Sequence, residues 1–296
     1  MRILIFGKSG QVARELERMH WPKLCHIEQF GRAGCDLLDT QAVVEAIFTV
    51  RPVIVINAAA YTAVDRAEAE SDLAEKVNCV APAAMASACR EVGAGLIHLS
   101  TDYVFDGSKA EPFLEEDPVA PLSVYGLTKS KGEIAIRDML QSHLILRTSW
   151  VFAAHGGNFV RTMLRLANER MELRIVADQK GAPTSARDIA KAIGTIVERV
   201  ISGQAVWGTF HFTGAEPTTW FDFARAIFEL SGRHPRLVPI TTAEYRTAAK
   251  RPLNSILDCG RIERDYGIRQ PSWRVALKEA LTELGEITEL DGTRFP

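Results

Sequence analysis

The chain opens with a short, continuous apolar run, residues 3–6, that stops at Gly7. Residues 11–19 then space their apolar side chains at helical intervals. Residues 26–30 predict a weaker strand, and residues 40–50 place Val43, Val44, Ile47 and Phe48 on one helical face. The run 53–56 is β-branched throughout and ends at Asn57, while residues 73–92 are Ala-rich and predict one helix. A strand over 96–99, a helix over 125–140 and a strand over 144–146 leading to Trp150 complete the first half. Near-continuous apolar strands alternating with helices predict a parallel sheet covered on both faces. The second half is less regular, with helices over 158–168, 186–200 and 220–230, a strand over 208–212, and prolines at Pro235, Pro239, Pro252 and Pro271. It predicts a smaller α+β lobe, with elements around 186–214 returning to the sheet.

Composition narrows the field by exclusion. A formal net charge of −2 gives no reason to expect a nucleic acid or a membrane surface as partner, so any anionic ligand must be held by local groups. No stretch approaches the ~20 apolar residues of a membrane span, and the N-terminus lacks the apolar core and cleavage site of a signal peptide. Five cysteines, an odd count without C-x-x-C spacing, argue against a disulfide framework or a zinc site and fit a reducing cytoplasm. The seven histidines form no H-E-x-x-H pair.

The chemistry begins at Gly7-Lys8-Ser9-Gly10-Gln11-Val12-Ala13, which follows the first strand and opens the first helix. Glycine lets the backbone approach a pyrophosphate without a Cβ in the way, and the helix that follows offers free N–H groups and the positive end of its dipole. Gly7, Ser9, Gly10, Gln11 and Val12 are therefore candidates for holding a dinucleotide, although a plain glycine turn has the same form. An acid is expected ~20 residues further on to hold a ribose 2′-OH. The second strand ends instead in Phe30-Gly31-Arg32, and Arg32 could pair with a 2′-phosphate or simply be solvated. This favours NADPH over NADH. Asp36 is a candidate for the adenine, with Leu37 beside it, and Asp39 has the position of a helix N-cap. Small residues Ala58, Ala59 and Ala60 follow the third strand and leave room for a ligand at the sheet edge. The expected architecture is α/β, a Rossmann-type doubly wound parallel sheet over residues 1–150. Residues 151–296 form mostly the smaller C-terminal α+β substrate lobe.

Two further segments decide the chemistry. Ser100-Thr101-Asp102-Tyr103 follows a strand, and Tyr125-Gly126-Leu127-Thr128-Lys129 opens a helix. Tyr125 and Lys129 are i and i+4, so they share a helical face. An ammonium near a phenol lowers a pKa that starts near ~10, which would make Tyr125 a proton donor and acceptor near neutral pH. Thr101 can donate to the same substrate oxygen. Y-x-x-x-K alone is common on solvated helix faces; combined with the glycine loop and the Ser-Thr strand end it becomes specific.

These residues resemble the extended, sugar-nucleotide branch of the short-chain dehydrogenase/reductase superfamily. Longer strings are similar to the dTDP-4-dehydrorhamnose reductases. They include Asn57-Ala58-Ala59-Ala60-Tyr61-Thr62-Ala63-Val64-Asp65, Ser100 through Gly107, Arg147-Thr148-Ser149-Trp150-Val151-Phe152, Asp178 through Thr184 and Arg251-Pro252-Leu253-Asn254-Ser255. The resemblance implies that a nicotinamide cofactor reduces C4 of dTDP-4-dehydro-L-rhamnose. Tyr125 would protonate the oxygen, Lys129 would hold the nicotinamide ribose and tune Tyr125, and Thr101 would hydrogen-bond the oxygen. Asp102, Tyr103 and Trp150 would line the sugar pocket, with core packing the bland alternative for Trp150. Arg251 is the first candidate for the substrate diphosphate, with Arg161 and Arg165 as alternatives. Some members dimerise through Mg²⁺, and Glu15 matches one of the acids involved. Arg187 and Lys191 stand where other acids are expected, which puts a metal-bridged dimer in doubt and leaves a monomer or a homodimer. Ala13 replaces a usual glycine. Competing readings are a sugar-nucleotide dehydratase or epimerase, or a non-catalytic regulatory subunit resembling that of methionine adenosyltransferase. Asp102-Tyr103 lacks the glutamate that dehydratases tend to carry after the threonine, which favours simple reduction.

Overall fold

A computed structural model describes residues 1–287. The first half runs β1 (Arg2–Phe6), α1 (Gln11–Arg18), β2 (His26–Phe30), α2 (Thr40–Val50), β3 (Ile54–Asn57), α3 (Val64–Ala67), α4 (Ser71–Glu75), α5 (Ala81–Val92), β4 (Gly95–Thr101), α6 (Val124–Met139) and β5 (His143–Thr148). The second half runs β6 (Val151–Phe152), α7 (Phe159–Glu169), β7 (Glu172–Val176), β8 (Lys180–Gly181), β9 (Thr184–Ser185), α8 (Ala186–Ile201), β10 (Gly208–His211), β11 (Thr218–Thr219), α9 (Trp220–Ser231), β12 (Arg236–Ile240), α10 (Gly260–Tyr266) and α11 (Trp273–Glu283).

Six strands form one sheet in the order β10-β5-β4-β3-β1-β2, and every pairing in it is parallel. The period-2 geometry of a strand splits each apolar run between two layers. In β1, Ile3 and Ile5 face α1, α8 and α10 through Val12, Leu16, Ile189, Ile193 and Ile262. Leu4 and Phe6 face α2 and α5 through Val43, Ile47, Val50, Met85 and Cys89. This is why the strands read as continuous rather than alternating. β10 lies beside β5, so the chain returns to the sheet between the first and the later elements of the second lobe. That lobe pairs β7 with β12 in parallel and packs α7, α9 and α11 around Leu173, Ile175, Phe223, Ile227, Trp273 and Leu277. From β1 the chain crosses to β2 on one side and then to β3 on the other, so the crevice at the carboxyl ends of β1 and β3 is the switch point where such sheets bind ligands.

Two expectations change. The single helix over 73–92 is α4 and α5 joined by a π-helical turn, Lys76–Val80, whose extra residue turns Asn78 inward to be 1% exposed. On α2, Phe48 is exposed and Val44 half-buried, while Val43, Ile47 and Val50 make the buried face. Val50 lies closer in helical angle to Val43 and Ile47 than Phe48 does.

Candidate active site

The switch-point crevice begins at Gly7, which has φ +115°, a region open to glycine. A Cβ there would stand 3.0 Å from the Ala58 carbonyl carbon and oxygen, so the loop after β1 and the loop after β3 come together only because that atom is missing. Gly7 donates its N–H to Phe30 O at 2.8 Å, and Gln29 Nε2 bridges Gly7 O and Ala13 O, both at 2.9 Å. Gly10 caps α1 without any side-chain bond to the first-turn N–H groups. Ser9 and Gly10 are exposed, whereas Val12 is buried beneath the loop. This cradle, which any β-carbon on Gly7 would fill, fits a dinucleotide pyrophosphate.

The other cofactor candidates fall around it. Gln11 is half-engaged: its Nε2 donates to Val151 O at 3.3 Å and its Oε1 accepts from Asn158 at 2.9 Å, tying the loop to β6 and α7. Arg32 stands at the β2 tip with its side chain 77% exposed and Asp36 3.8 Å away. Asp36 accepts from Leu38 N at 3.1 Å, Leu37 is buried, and Asp39 caps α2 by accepting from Ala42 N at 3.0 Å. Ala58, Ala59 and Ala60 are half-buried along the crevice.

The candidate reacting groups meet where β4 ends against the first turn of α6. Ser123 caps that helix, its Oγ accepting from Gly126 N at 3.2 Å. A Cβ on Gly126 would lie 2.1 Å from Tyr103 O, so glycine here lets the Thr101–Tyr103 backbone press against Tyr125. Tyr103 and Tyr125 then meet edge to face at 5.9 Å. Thr101 Oγ1 donates to Asp102 Oδ1 at 3.0 Å and accepts from Tyr103 N at 3.2 Å. Asp102 is 2% exposed, and its Oδ2 is buried without a hydrogen-bond partner. Burial pushes the Asp102 carboxyl up to about 7, against hydrogen bonds from Ser255 and Thr101.

Lys129 departs from expectation. Its Nζ lies 3.0 Å from His98 Nε2 and donates to Leu99 O at 2.6 Å. Its burial draws its pKa down to about 8, with Glu133 pulling the other way. Tyr125 is correspondingly not lowered. Desolvation raises it to about 12, opposed by the Thr101 hydroxyl and reinforced by the Asp102 charge. The physical reason is that Lys129 points its Nζ into the β4 layer at His98 and Leu99, with no lowering effect at the phenol. A phenol that keeps its proton suits the donor side of a reduction.

Several supporting residues were not singled out by sequence. Asn78, on the π-helical turn, accepts from Tyr61 N at 2.8 Å and donates to Tyr61 O at 3.0 Å and Thr128 Oγ1 at 3.2 Å, fixing the loop after β3 to α6. Glu133, fully buried, accepts from Ser100 Oγ at 2.6 Å and from Arg147 Nη2 at 2.7 Å. His98 is a polar residue in the middle of β4, after the apolar Leu96 and Ile97, and that misfit was the available signal.

On the lobe side, Trp150 has φ +47° and stacks on Trp220 with centroids 3.6 Å apart and planes 9° apart. Gly181 accommodates it, since a Cβ there would stand 2.5 Å from Trp150 Cε2. Trp150 is half-buried rather than sealed in the core. Arg251 is not a free cation: it pairs with Asp65 at 2.7 Å and donates to Thr247 Oγ1 at 2.6 Å. Arg165 pairs with Glu169 at 2.8 Å and Arg161 donates to Gly156 O at 3.0 Å. Glu15 is enclosed by His155 at 2.6 Å, Arg18 at 3.3 Å and Arg187 at 3.7 Å. Among the described residues no group of three or more His, Cys, Asp or Glu could hold a metal ion.

A deep glycine cradle beside a Thr-Tyr-Lys set is common to many oxidoreductases, and the whole-chain likeness is what separates them. The family described as RmlD substrate binding domain matches residues 1–286. The dTDP-4-dehydrorhamnose reductase of Sinorhizobium fredii is 43% identical over 290 residues, covering 96% of this chain and 98% of that one. The chain belongs to the dTDP-4-dehydrorhamnose reductase family. Two solved members share its fold closely. The reductase of Clostridium acetobutylicum has a TM-score of 0.91 at 38% identity, covering 96% of this chain and 100% of that one. That of Bacillus anthracis, solved in complex with NADP, has a TM-score of 0.90 at 35% identity, covering 95% and 99%. Family membership extends over the second lobe as well as the sheet, so Trp150, Asp102 and Arg251 lie within the shared architecture. Among the described residues no helix is long and apolar enough to cross a membrane.

Proposed function

We propose that this chain reduces the 4-keto group of dTDP-4-dehydro-L-rhamnose to give dTDP-L-rhamnose, the last step of dTDP-rhamnose biosynthesis, using NADPH in preference to NADH. The observation that carries the reading is Tyr125, a protonated phenol beside Thr101 and the orphaned Asp102 Oδ2, at the carboxyl edge of a sheet whose Gly7 cradle fits a dinucleotide. A near neutral cytoplasm and a monomer or homodimer are consistent with it.

The backbone of Gly7, Ser9, Gly10, Gln11 and Val12 would hold the pyrophosphate, Arg32 the 2′-phosphate, Asp36 and Leu37 the adenine, and Ala58, Ala59 and Ala60 the inner wall. The reduced nicotinamide supplies the hydride when bound. Tyr125 holds its proton at neutral pH and releases it to the C4 oxygen as charge develops there, a contribution of roughly 10²–10⁴ in rate. Thr101 turns its hydroxyl from Asp102 to the same oxygen, and pre-aligned donors of this kind stabilise the developing alkoxide further. Lys129, one turn along α6, holds the ribose hydroxyls. Asp102 Oδ2 accepts a sugar hydroxyl, Tyr103 and Trp150 wall the ring, and Arg251, oriented by Asp65, meets the diphosphate.

The test is the loss of NADPH absorbance with the 4-keto sugar nucleotide generated enzymatically from dTDP-glucose. Absence of oxidation by folded, cofactor-binding protein would overturn the reading. Tyr125→Phe should lose most turnover, roughly 10²–10⁴-fold, with NADPH affinity retained; wild-type turnover would remove Tyr125 as the donor.

A further inference from the structure

His98 has no exposed surface and stands between Asn57 of β3 and Lys129 of α6. Its Nδ1 lies 3.0 Å from Asn57 Nδ2 and its Nε2 lies 3.0 Å from Lys129 Nζ. The hydrogens on this ring follow from its neighbours. Asn57 Oδ1 is committed, because it accepts the Ala59 backbone N–H at 3.1 Å. The amide therefore turns Nδ2, a pure donor, toward His98, and Nδ1 has to accept. Burial keeps the imidazole neutral by pushing its pKa well below the usual value. A neutral ring that accepts at Nδ1 carries its hydrogen on Nε2. That N–H points at Lys129 Nζ, and an ammonium there would set two donors against each other at 3.0 Å. An amine with a free lone pair can accept the hydrogen while donating one of its own to Leu99 O at 2.6 Å.

We infer that His98 is a positioning residue that favours the uncharged amine of Lys129 over its ammonium in the cofactor-free protein, through a hydrogen-bond relay that starts at the Ala59 N–H. The alternative state needs one linked change. The Asn57 amide turns over and releases the Ala59 N–H, the ring carries its hydrogen on Nδ1 instead of Nε2, and Lys129 Nζ takes one proton from solvent and donates to the freed Nε2. The loop Ala58–Ala60 and the charge on Lys129 are thus two ends of one relay. The ionisable groups facing Lys129 are His98 from β4 and, on its own helix, Tyr125 one turn before and Glu133 one turn after. Glu133 is itself paired with Arg137 and with Arg147 of β5. Glu133 favours the ammonium, whereas burial and the His98 N–H favour the amine.

The tautomer is read directly by ¹⁵N NMR of histidine-labelled, cofactor-free protein at a pH above the value of about 8 at which Lys129 titrates, with His98→Leu assigning the signal. The expected spectrum has Nδ1 unprotonated and Nε2 protonated; a protonated Nδ1 with a bare Nε2 overturns the inference. The sign of a second shift tests it independently. Titrating Lys129 Cε by ¹³C NMR, assigned with Lys129→Arg, the His98→Leu variant should raise the Lys129 pKa by about one unit, a tenfold change in proton affinity. A downward shift would mean that the ring had been accepting from an ammonium, and overturns the inference. Should His98→Leu fail to fold, the isosteric Asn57→Asp, which offers acceptors to both Ala59 N–H and the ring, is expected to move the ring hydrogen to Nδ1. An unmoved hydrogen counts against the relay. None of these readouts uses turnover, so they stand apart from the reductase assay.

Discussion

Glu133→Gln tests whether the buried ionic cluster beneath the reacting groups acts as a unit. Glu133 is 0% exposed and Arg147 2%. The carboxylate accepts from Arg147 Nε at 3.0 Å, Arg147 Nη2 at 2.7 Å and Ser100 Oγ at 2.6 Å. Arg147 has further partners in Glu115 O at 3.3 Å and the Phe105 ring at 5.1 Å, but none of them is a second carboxylate to neutralise it. Substitution by glutamine preserves shape and removes the charge, leaving a guanidinium in the core. Removing one member of a buried pair costs about 3–5 kcal/mol, and for a chain of this size that lowers Tm by roughly 5–8 °C. Ser100 precedes Thr101, so kcat should fall with stability. The exposed Arg165–Glu169 pair on α7 provides the control: Glu169→Gln should hardly move Tm. The pH dependence follows from the sign of the shift. Burial pushes the Glu133 carboxyl up, but Arg147 and Ser100 more than offset it, and the net pKa is depressed. Its stabilisation is therefore present above the ordinary carboxylate range and lost as pH falls through the depressed value. The gap between wild type and variant, followed by calorimetry from pH 7 downward, should close in acid. Equal Tm losses for Glu133→Gln and Glu169→Gln at pH 7 would refute the argument.

Three further outcomes are expected. Asp102 titrates at about 7 when folded and at ~3.9 when unfolded, so the folded chain binds the extra proton between these values and stability falls as pH rises through that window. Asp102→Asn should flatten this slope in Tm and be more stable than wild type at pH 8; an unchanged slope would place the titration elsewhere. Gly181→Ala puts a methyl 2.5 Å from Trp150 Cε2 and should push the ring from Trp220, raising KM for the sugar nucleotide while the NADPH Kd holds. An unchanged KM would remove Trp150 from the sugar pocket. Arg32→Ala should lower the NADPH-to-NADH preference by roughly tenfold to a hundredfold, the worth of a charge-assisted hydrogen bond; an unchanged ratio would reject Arg32 as the 2′-phosphate contact.

The residue pattern alone was enough for the parallel sheet, the glycine turn after β1 and the shared helical face of Tyr125 and Lys129. Each of these is written locally. A strand buried on both faces must be apolar throughout, a close backbone approach demands glycine, and i, i+4 spacing places two side chains on one helical face. The limits were just as physical. Nothing in the run 73–92 marks the π-helical turn that swings Asn78 inward, because the turn is stabilised by Tyr61 and Thr128 from distant segments. Arg251 reads as a free cation until the fold brings Asp65, 186 positions away, within 2.7 Å. Spacing put Lys129 on the face of Tyr125, yet the direction of its Nζ depended on His98 and Leu99, which lie on another element. Local geometry thus determined which groups are present and on which face. Only tertiary packing decided their charge, because burial and the nearest partner set a pKa, and both come from chain segments far apart in sequence.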